Sequence, residues 1–297
     1  MNKNLQTTLA SRICFLFLLV LLGFFPGSLF AADNNLSRVE INGGVLEYEV
    51  IGSGEPVLLI HGTGVAATFY HTMRQNELND YKLIRYHRRG FAGSDRAPEG
   101  YTIFDDAADA IALLNALEID NAHIVGHSYG GAVALQMAID APELVHDLAV
   151  MEAPIFDANA PSGVFSQLIA QYESGDEVGA MSTFSRMSYG DNWHMLANRV
   201  PGGPNQVLND ASTVFTSEAQ AMMTWDFTEE DAASIHQPMV YITGGGGHGA
   251  SRSQLQAWTP RVMDVTVVPG TTHAMLMEDP QGVAKAIADF LGRYPFQ

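Results

Sequence analysis

The chain has 297 residues, of which 47% are hydrophobic and 16% are charged. This length allows one large domain with a sizeable core or two smaller domains, and the composition is that of a globular protein rather than a disordered one. The formal net charge of −18 argues against nucleic acid as a partner, because binding a polyanion requires clustered Lys and Arg side chains.

The first 32 residues have the pattern of a secretory signal peptide. Lys3 and Arg12 precede an apolar run over residues 13–25, Pro26 and Gly27 interrupt that run, and small residues suited to cleavage follow. An uncleaved membrane anchor is the alternative, since the run approaches the roughly 20 residues that a spanning helix needs. The Pro-Gly break favours the signal peptide. We therefore expect export to a bacterial periplasm or medium, with no stable membrane anchor after cleavage.

The only cysteine of the chain, Cys14, lies inside this N-terminal segment. After cleavage the mature protein would contain no thiol. Its chemistry could then use neither a disulfide, nor a cysteine nucleophile, nor a metal site built on cysteine.

Short apolar runs bounded by turn residues recur along the chain and predict β-strands. They cover residues 39–50 (two strands joined at Asn42-Gly43-Gly44), 56–60, 81–86, 122–126, 145–151, 239–243 and 262–268. Helical periodicity lies between most of these runs, over residues 66–78, 103–117, 131–140, 253–258 and 282–293. The alternation predicts an α/β fold with a mostly parallel eight-stranded sheet and helices on both faces.

The alternation stops over residues 155–235, which show no strand pattern and are rich in Met, Phe, Ser and Gly. This stretch is far too long for an ordinary loop. It predicts an inserted helical cap, with the α/β core divided between residues 33–154 and 236–297.

Ser128 lies in the sequence Gly126-His127-Ser128-Tyr129-Gly130-Gly131, where a buried strand turns into a helix. Small residues around a serine at such a turn are typical of a nucleophile elbow, whose strained backbone exposes the hydroxyl. A serine is a poor nucleophile without a base, so Ser128 requires a histidine within hydrogen-bond reach.

His273 is the best of the ten histidines for this role. It follows the last predicted strand across the turn Pro269-Gly270-Thr271-Thr272, which would bring its ring to the same sheet edge as Ser128. His127 is adjacent to the serine but is expected to point elsewhere, and His61 is more suited to bracing its Gly-rich turn. The remaining histidines are assigned to structure or solvent.

The third member of a triad, a carboxylate that orients the histidine, is predicted at Glu152. The common position follows the strand at residues 239–243, yet residues 239–258 contain no Asp or Glu. Glu152 comes directly after the strand at residues 145–151 and would lie on the catalytic edge, with Asp157 as the alternative. The glycine-rich residues 244–249 also fit the spacing of a dinucleotide-binding loop, but that motif alone is weak evidence.

An oxyanion formed at the substrate carbonyl requires backbone donors. The Tyr129 amide directly follows the nucleophile, and the Thr63 amide lies in the turn His61-Gly62-Thr63-Gly64 after a buried strand. We predict these two amides as the oxyanion hole. The alternative for residues 61–64 is a simple turn.

Residues 39–291 together resemble the alpha/beta-hydrolase superfamily. Residues 88–95 (RRGFAGSD) are similar to its turn after the fourth strand, and residues 273–280 (HAMLMEDP) to its segment with the catalytic histidine. The match is specific for fold and carries little information on substrate.

The segment Met151-Glu152-Ala153-Pro154 resembles haloalkane dehalogenases and zearalenone-type lactonases in particular. In those proteins the triad acid lies after the sixth strand instead of the seventh, which implies the same role for Glu152. Dehalogenases attack with an aspartate, whereas this chain has Ser128 at that position. The departure argues against dehalogenase and epoxide hydrolase activity and favours acyl chemistry.

The resulting hypothesis is an exported serine hydrolase that cleaves a carboxylic ester or lactone through an acyl-enzyme, with no metal or organic cofactor. Carbon-carbon bond hydrolysis, cofactor-free perhydrolysis of the haloperoxidase type and acyl transfer on the same triad remain alternatives, as do a non-catalytic ligand-binding role and a membrane-tethered interaction protein. The partner is a small, apolar acyl substrate, and the oligomeric state is open. Candidate substrate contacts are His61, Gly62, Trp193, Met222 and Trp225, from a wider apolar set that also contains Phe165, Phe184, Met187, Met195 and Met223. The alternative for the cap residues is that they form the cap's own core.

Overall fold

A computed structural model describes residues 36–155, 163–245, 249–259 and 263–296. The predicted signal peptide and Asp157 lie outside these residues. Within the described ranges, no helix combines the length and the apolar character needed to cross a membrane.

Eight strands form one sheet in the described part of the chain. Their order across the sheet is β1-β2-β4-β3-β5-β6-β7-β8, and only the β1–β2 and β2–β4 pairs are antiparallel. The predicted α/β fold with a mostly parallel eight-stranded sheet is confirmed. The strands are β1 Ser37–Ile41, β2 Gly44–Gly52, β3 Glu55–Ile60, β4 Tyr81–Tyr86, β5 Ala122–His127, β6 Val145–Met151, β7 Met239–Gly244 and β8 Met263–Val268.

Burial on both faces explains why the central strands are continuous apolar runs. On β3, Leu58 and Ile60 pack into the cluster beneath two helices, α1 (Ile103–Ala116) and α2 (Tyr129–Asp140). Val57 and Leu59 pack into the cluster on the opposite face. Successive side chains of a strand point to opposite faces, so most side chains of a strand covered on both sides are apolar.

Helices cover the sheet and fill the region between β6 and β7. The helices of the α/β part are α1 Ile103–Ala116, α2 Tyr129–Asp140, α10 Gly249–Trp258, α11 Met275–Glu278 and α12 Pro280–Leu291. Those between β6 and β7, named here the helical insertion, are α3 Gly163–Glu173, α4 Glu177–Tyr189, α5 Trp193–Ala197, α6 Gly203–Asn209, α7 Ala211–Thr213, α8 Ala219–Thr224 and α9 Glu229–Ser234, with a π-helical turn, Val214–Glu218, joining α7 to α8. The cap boundaries at residues 155 and 235 stay a prediction.

The prediction of a helix over residues 66–78 is wrong. The structure has three short 3₁₀ turns there, Thr68–Tyr70, Thr72–Arg74 and Asn76–Leu78, with extended backbone at Gln75. β-branched and aromatic residues lose side-chain freedom in a helix, and this stretch contains several of them in succession. Burial of Phe69 and Met73 against the sheet explains the periodicity without a continuous helix.

Candidate functional site

Ser128 occupies the turn between β5 and α2 with φ 53° and ψ −124°, a conformation rare for any residue with a side chain. Two glycines make this turn possible. A Cβ atom on Gly126 would lie 2.2 Å from the Gly130 oxygen, and one on Gly130 would lie 2.2 Å from the Ile60 oxygen. The Ser128 amide donates to the Met151 oxygen over 2.7 Å, which ties the turn to the end of β6.

His273 and Glu152 meet at the carboxyl edge of the sheet. His273 Nδ1 lies 2.7 Å from Glu152 Oε2, and the Glu152 side chain is fully buried. Glu152 Oε1 also accepts hydrogen bonds from Thr243 Oγ1 at 2.8 Å and from the Gly244 amide at 3.0 Å. Burial opposes ionisation, but the hydrogen bond and charge of His273 and these two donors lower the pKa of Glu152 to about 2. Glu152 is therefore a carboxylate at any physiological pH.

Two glycines at the end of β7 hold Glu152 and the turn that carries His273. Besides the bond from Gly244 to Glu152, the Gly245 amide donates to the Thr271 oxygen over 2.9 Å. A Cβ atom on Gly244 would lie 2.6 Å from that same oxygen. The turn that carries His273 thus packs directly on Gly244, and this contact accounts for a glycine at the position.

His127 is a site residue that the sequence reasoning missed. Its Nε2 lies 2.9 Å from the His273 backbone oxygen, and the two rings are 4.7 Å apart. A carbonyl oxygen can only accept, so Nε2 carries the hydrogen in this bond. His127, the residue before Ser128, therefore connects the turn of the serine to the turn that carries His273. A histidine beside a nucleophile is visible in sequence, but its contact with a turn 146 positions away is not.

The loop after β3, residues 61–64 and named here the β3 loop, passes against Ser128. A Cβ atom on Gly62 would lie 2.8 Å from Ser128 Cβ and 3.1 Å from His127 Nδ1. Thr63, whose amide is a predicted oxyanion donor, is the next residue and is buried. The second predicted donor, the Tyr129 amide, begins α2 and has no acceptor within that helix.

His61 braces the β3 loop, as its sequence position suggested. Its Nε2 accepts from the Arg88 amide over 3.0 Å, so Nδ1 carries the hydrogen and donates to the Gly62 oxygen over 2.7 Å. Burial, followed by the charge of Arg88, lowers the pKa of His61 well below its ordinary value. Both ring nitrogens of this neutral histidine are thus occupied by backbone groups.

Tyr189 at the end of α4 contacts both the β3 loop and His273. Its hydroxyl donates to the Thr63 oxygen over 2.5 Å, and its ring stacks on that of His273 with centroids 6.3 Å apart. Burial raises the pKa of Tyr189, which keeps the hydroxyl a donor. No strand or turn pattern marks this position, so only the packing of α4 over the β3 loop reveals it.

An open cavity of about 640 Å³ lies beside His273 and is lined by residues from the end of α4 and from α5. The residues around it that bear on recognition are Met187, Tyr189, Asn192, Met195, Arg199 and Thr272. Met187 and Met195 belong to the predicted apolar set, and both are largely exposed at its rim.

The structure places the three predicted cap contacts elsewhere. Trp193 is buried in the core of the insertion, and Met222 is buried against the cluster beneath α1 and α2. Trp225 packs on that cluster too and donates from Nε1 to Gln136 Oε1 over 3.0 Å. These positions fit the alternative reading, in which the large apolar residues of the cap stabilise its packing. Among the described residues, no group of three or more His, Cys, Asp or Glu is placed to hold a metal ion.

Comparison with known proteins gives a consistent result. A family model described as the alpha/beta hydrolase family matches residues 57–286. RutD of Variovorax paradoxus, which carries the name of a carbamate hydrolase, is 39% identical over 112 residues, covering 36% of this chain and 42% of the relative. The match therefore spans less than half the length of that relative.

Two further similarities extend over most of the chain. The 2-(acetamidomethylene)succinate hydrolase of Mesorhizobium japonicum is 24% identical over 270 residues, covering 88% of this chain and 97% of the relative. The solved structure of a thermophilic esterase from Thermogutta terrifontis superposes with a TM-score of 0.74 at 19% identity, covering 88% of this chain and all of the esterase chain. At this identity the likeness concerns the fold alone.

Proposed function

The chain belongs to the alpha/beta hydrolase family and is a hydrolase, and we propose that it cleaves a carboxylic ester or lactone through an acyl-enzyme on Ser128. The observation that carries the proposal is the 2.7 Å contact between His273 Nδ1 and the buried carboxylate of Glu152. This contact keeps the hydrogen on Nδ1 and leaves Nε2 as the base.

In the proposed mechanism, Ser128 Oγ attacks the substrate carbonyl while His273 Nε2 takes its proton. Glu152 stabilises the imidazolium that results, and the amides of Thr63 and Tyr129 donate to the oxyanion. His273 then returns the proton to the leaving alcohol, and water releases the acyl group by the same steps. The strained backbone of Ser128 supports this role, because strain of this kind persists where surrounding structure holds it for function.

The cavity beside His273 supports a small or medium-sized acyl substrate, since its volume of about 640 Å³ falls within the range of ligand pockets. Its rim offers the methionines Met187 and Met195 for apolar groups, and Asn192 and Arg199 for polar ones. We propose that the substrate enters here, alongside the ring of Tyr189.

The proposal is tested by offering the protein nitrophenyl esters of increasing acyl length, lactones, and matched nitrophenyl carbamates and nitroanilides. Esters and lactones are expected to turn over fastest, and rapid mixing is expected to give a burst of nitrophenol equal to the enzyme concentration when deacylation is slow. Faster turnover of the carbamates would assign the site to the reaction for which RutD is named. Turnover of no substrate in the panel would reject the ester proposal.

Gly62→Ala is expected to lower kcat/KM for such an ester by about 10- to 100-fold, because displacing site groups by about 1 Å can cost 10²-fold. The added methyl would lie 2.8 Å from Ser128 Cβ, so the β3 loop or the serine must move. Gly163→Ala is the matched control, since a Cβ atom there meets nothing within 4 Å. Wild-type kcat/KM in a folded Gly62→Ala variant would show that the β3 loop does not contribute to catalysis.

Export is proposed on the N-terminal pattern alone. A mature protein whose sequence begins close to residue 33, determined on material secreted by a bacterial host, would support it. Retention of residues 1–32 in membrane-bound material would support the anchor instead.

A further inference from the structure

A buried charged cluster lies behind the β3 loop and has no part in the triad. Arg88, Asp106 and Glu218 form it, and each is at most 3% exposed. The Arg88 guanidinium forms an ion pair with Glu218 and lies 3.4 Å from Asp106 through Nη1. Arg88 follows β4, Asp106 is on α1 and Glu218 is in the helical insertion, so the cluster joins three separate parts of the chain.

Arg88 holds the β3 loop directly. Its Nε donates to the His61 oxygen over 3.1 Å, its Nη2 donates to the Gly62 oxygen over 3.3 Å, and its own amide donates to the His61 ring. One guanidinium thus holds two consecutive carbonyl groups immediately before Thr63. The orientation of the Thr63 amide depends on these bonds.

Asp106 connects the same cluster to the second predicted oxyanion donor. Its Oδ2 accepts from the Tyr129 hydroxyl over 2.9 Å, and the Arg88 guanidinium lies 4.3 Å from the Tyr129 ring centre. Both residues whose amides are assigned to the oxyanion are therefore attached to one set of buried charges.

Glu218 is the contribution of the insertion, and a π-helical turn presents it. Val214–Glu218 is the wide turn between α7 and α8, and it ends on this buried carboxylate. Single π-helical turns inside α-helices occur frequently at functional sites. A buried charge that loses its partner destabilises the protein. Because Glu218 belongs to the insertion, the ion pair with Arg88 forms only when the insertion is in place.

We propose that Glu218 is a positioning residue which, through Arg88, holds the β3 loop and its Thr63 amide in place for the oxyanion. The role rests on the proposed function, since it concerns the same reaction. Glu218 itself contacts neither the substrate nor the triad in this proposal. The insertion then does more than cover the site: it supplies an ion pair on which the geometry of the oxyanion hole depends.

The charge balance of the cluster predicts a pH signature. One guanidinium faces two carboxylates, and an unbalanced negative charge without water is unfavourable. Burial, opposed by Arg88 and reinforced by Glu218, raises the pKa of Asp106 to about 7, and burial also raises the pKa of Glu218. We therefore expect the pair to hold one proton below neutrality and to lose it above.

Other titratable groups surround the cluster. Burial raises the pKa of the neighbouring tyrosines and lowers the pKa of His61. Burial also raises the pKa of Asp210, in the insertion, to about 7. Asp109 is paired with Arg89. The tyrosines are Tyr86 of β4, Tyr101 before α1, Tyr129 of α2 and Tyr189 of α4. Asp210 accepts hydrogen bonds from the Ala92 amide and Gln206 and makes no contact with Arg88 in the described structure.

Loss of the shared proton adds a negative charge behind the oxyanion hole, so kcat is expected to fall as pH rises above about 7 in the wild type. In Glu218→Gln, Arg88 and Asp106 balance one another, and this alkaline fall is expected to disappear. Glutamine can still accept from Arg88 through its amide oxygen, so kcat below pH 7 should stay near that of the wild type.

Glu218→Ala removes the acceptor altogether. It is expected to lower kcat about 10-fold or more with little change in KM, since complete loss of one oxyanion donor costs about 10²–10³-fold. The experiment compares wild type, Glu218→Ala and Glu218→Gln from pH 5 to 10 on one ester, and follows in parallel the rate at which a fluorophosphonate modifies Ser128. Glu173→Gln, an exposed carboxylate on α3, is the matched control. Thermal unfolding of each variant is measured alongside, because a purely structural role would lower the melting temperature without changing the pH profile.

A folded Glu218→Ala variant with wild-type kcat and phosphonylation rate would overturn the proposal, and so would an effect on KM alone. If that variant does not fold, an unchanged alkaline fall in Glu218→Gln would overturn it. The fluorophosphonate requires no ester. A wild type that reacts with it but hydrolyses no ester would reject the ester function, and the phosphonylation rates would still decide the role of Glu218. A Ser128 that does not react in the wild type would overturn both.

Discussion

Ser128→Ala is expected to lower kcat for ester hydrolysis by about 10⁵- to 10⁶-fold, since loss of the nucleophile in a serine protease costs about 2 × 10⁶-fold. Alanine removes the only atom proposed to form the acyl-enzyme. It keeps a Cβ atom at φ 53°, so the turn between β5 and α2 should retain its shape. Initial rates measured with enough enzyme to detect the residual reaction give the ratio.

The burst of nitrophenol and the fluorophosphonate adduct are expected to vanish together with turnover in this variant. Ser253→Ala on α10 is the matched control, because it makes the same serine-to-alanine change at an exposed residue far along the chain. Activity above about 1% of wild type in a folded Ser128→Ala variant would contradict the mechanism, since attack by water from the oxyanion site alone leaves far less.

Glu152→Gln is expected to lower kcat by about 10³- to 10⁴-fold, as the corresponding change in a serine protease lowers it about 10⁴-fold. The glutamine oxygen can still accept from Thr243 and Gly244, which directs its amide group toward His273 Nδ1. That amide is a donor, so Nδ1 becomes the acceptor and Nε2 carries the hydrogen. His273 is then held in the tautomer that cannot accept a proton from Ser128.

The measurement is kcat and KM on one ester, with KM expected to stay close to that of the wild type because no substrate contact is removed. Glu143→Gln, an exposed carboxylate before β6, controls for the change in charge. Near-wild-type activity in Glu152→Gln together with an inactive Asp157→Asn variant would transfer the role of the acid to Asp157.

The candidate site shows how much of a structure can be predicted from patterns within a few residues of one another. The turn at Ser128 requires glycines within a few residues on either side, and the contacts of Gly126 and Gly130 show why. The hairpin between β1 and β2 is equally local, with positive φ at Asn42 and Gly43. Patterns of this kind could be recognised without any knowledge of the fold. The lack of an Asp or Glu in residues 239–258 is a local property too, and it predicts the acid at Glu152.

Periodicity was less reliable where a segment was buried without being helical. The 3₁₀ turns over residues 68–78 present apolar side chains to the sheet at a spacing close to that of a helix, and the backbone differs because of its β-branched and aromatic residues. In the helical insertion, Trp193 and Met222 were predicted to line a pocket because their side chains are large and apolar. The structure buries both of them in hydrophobic clusters instead. Hydrophobicity alone does not distinguish these outcomes, since both remove apolar surface from water.

The sequence by itself determined the α/β alternation, the serine turn and the order of the chemical groups along the chain, because strand period, turn residues and apolar runs are local properties. Only the tertiary structure decided which distant groups meet: His127 on the turn of His273, Tyr189 between Thr63 and His273, and Glu218 on Arg88. These contacts join positions up to 146 residues apart. They arise from the packing of the helical insertion and the late strands onto one sheet edge, and side-chain direction and packing of this kind leave no periodic trace in the sequence.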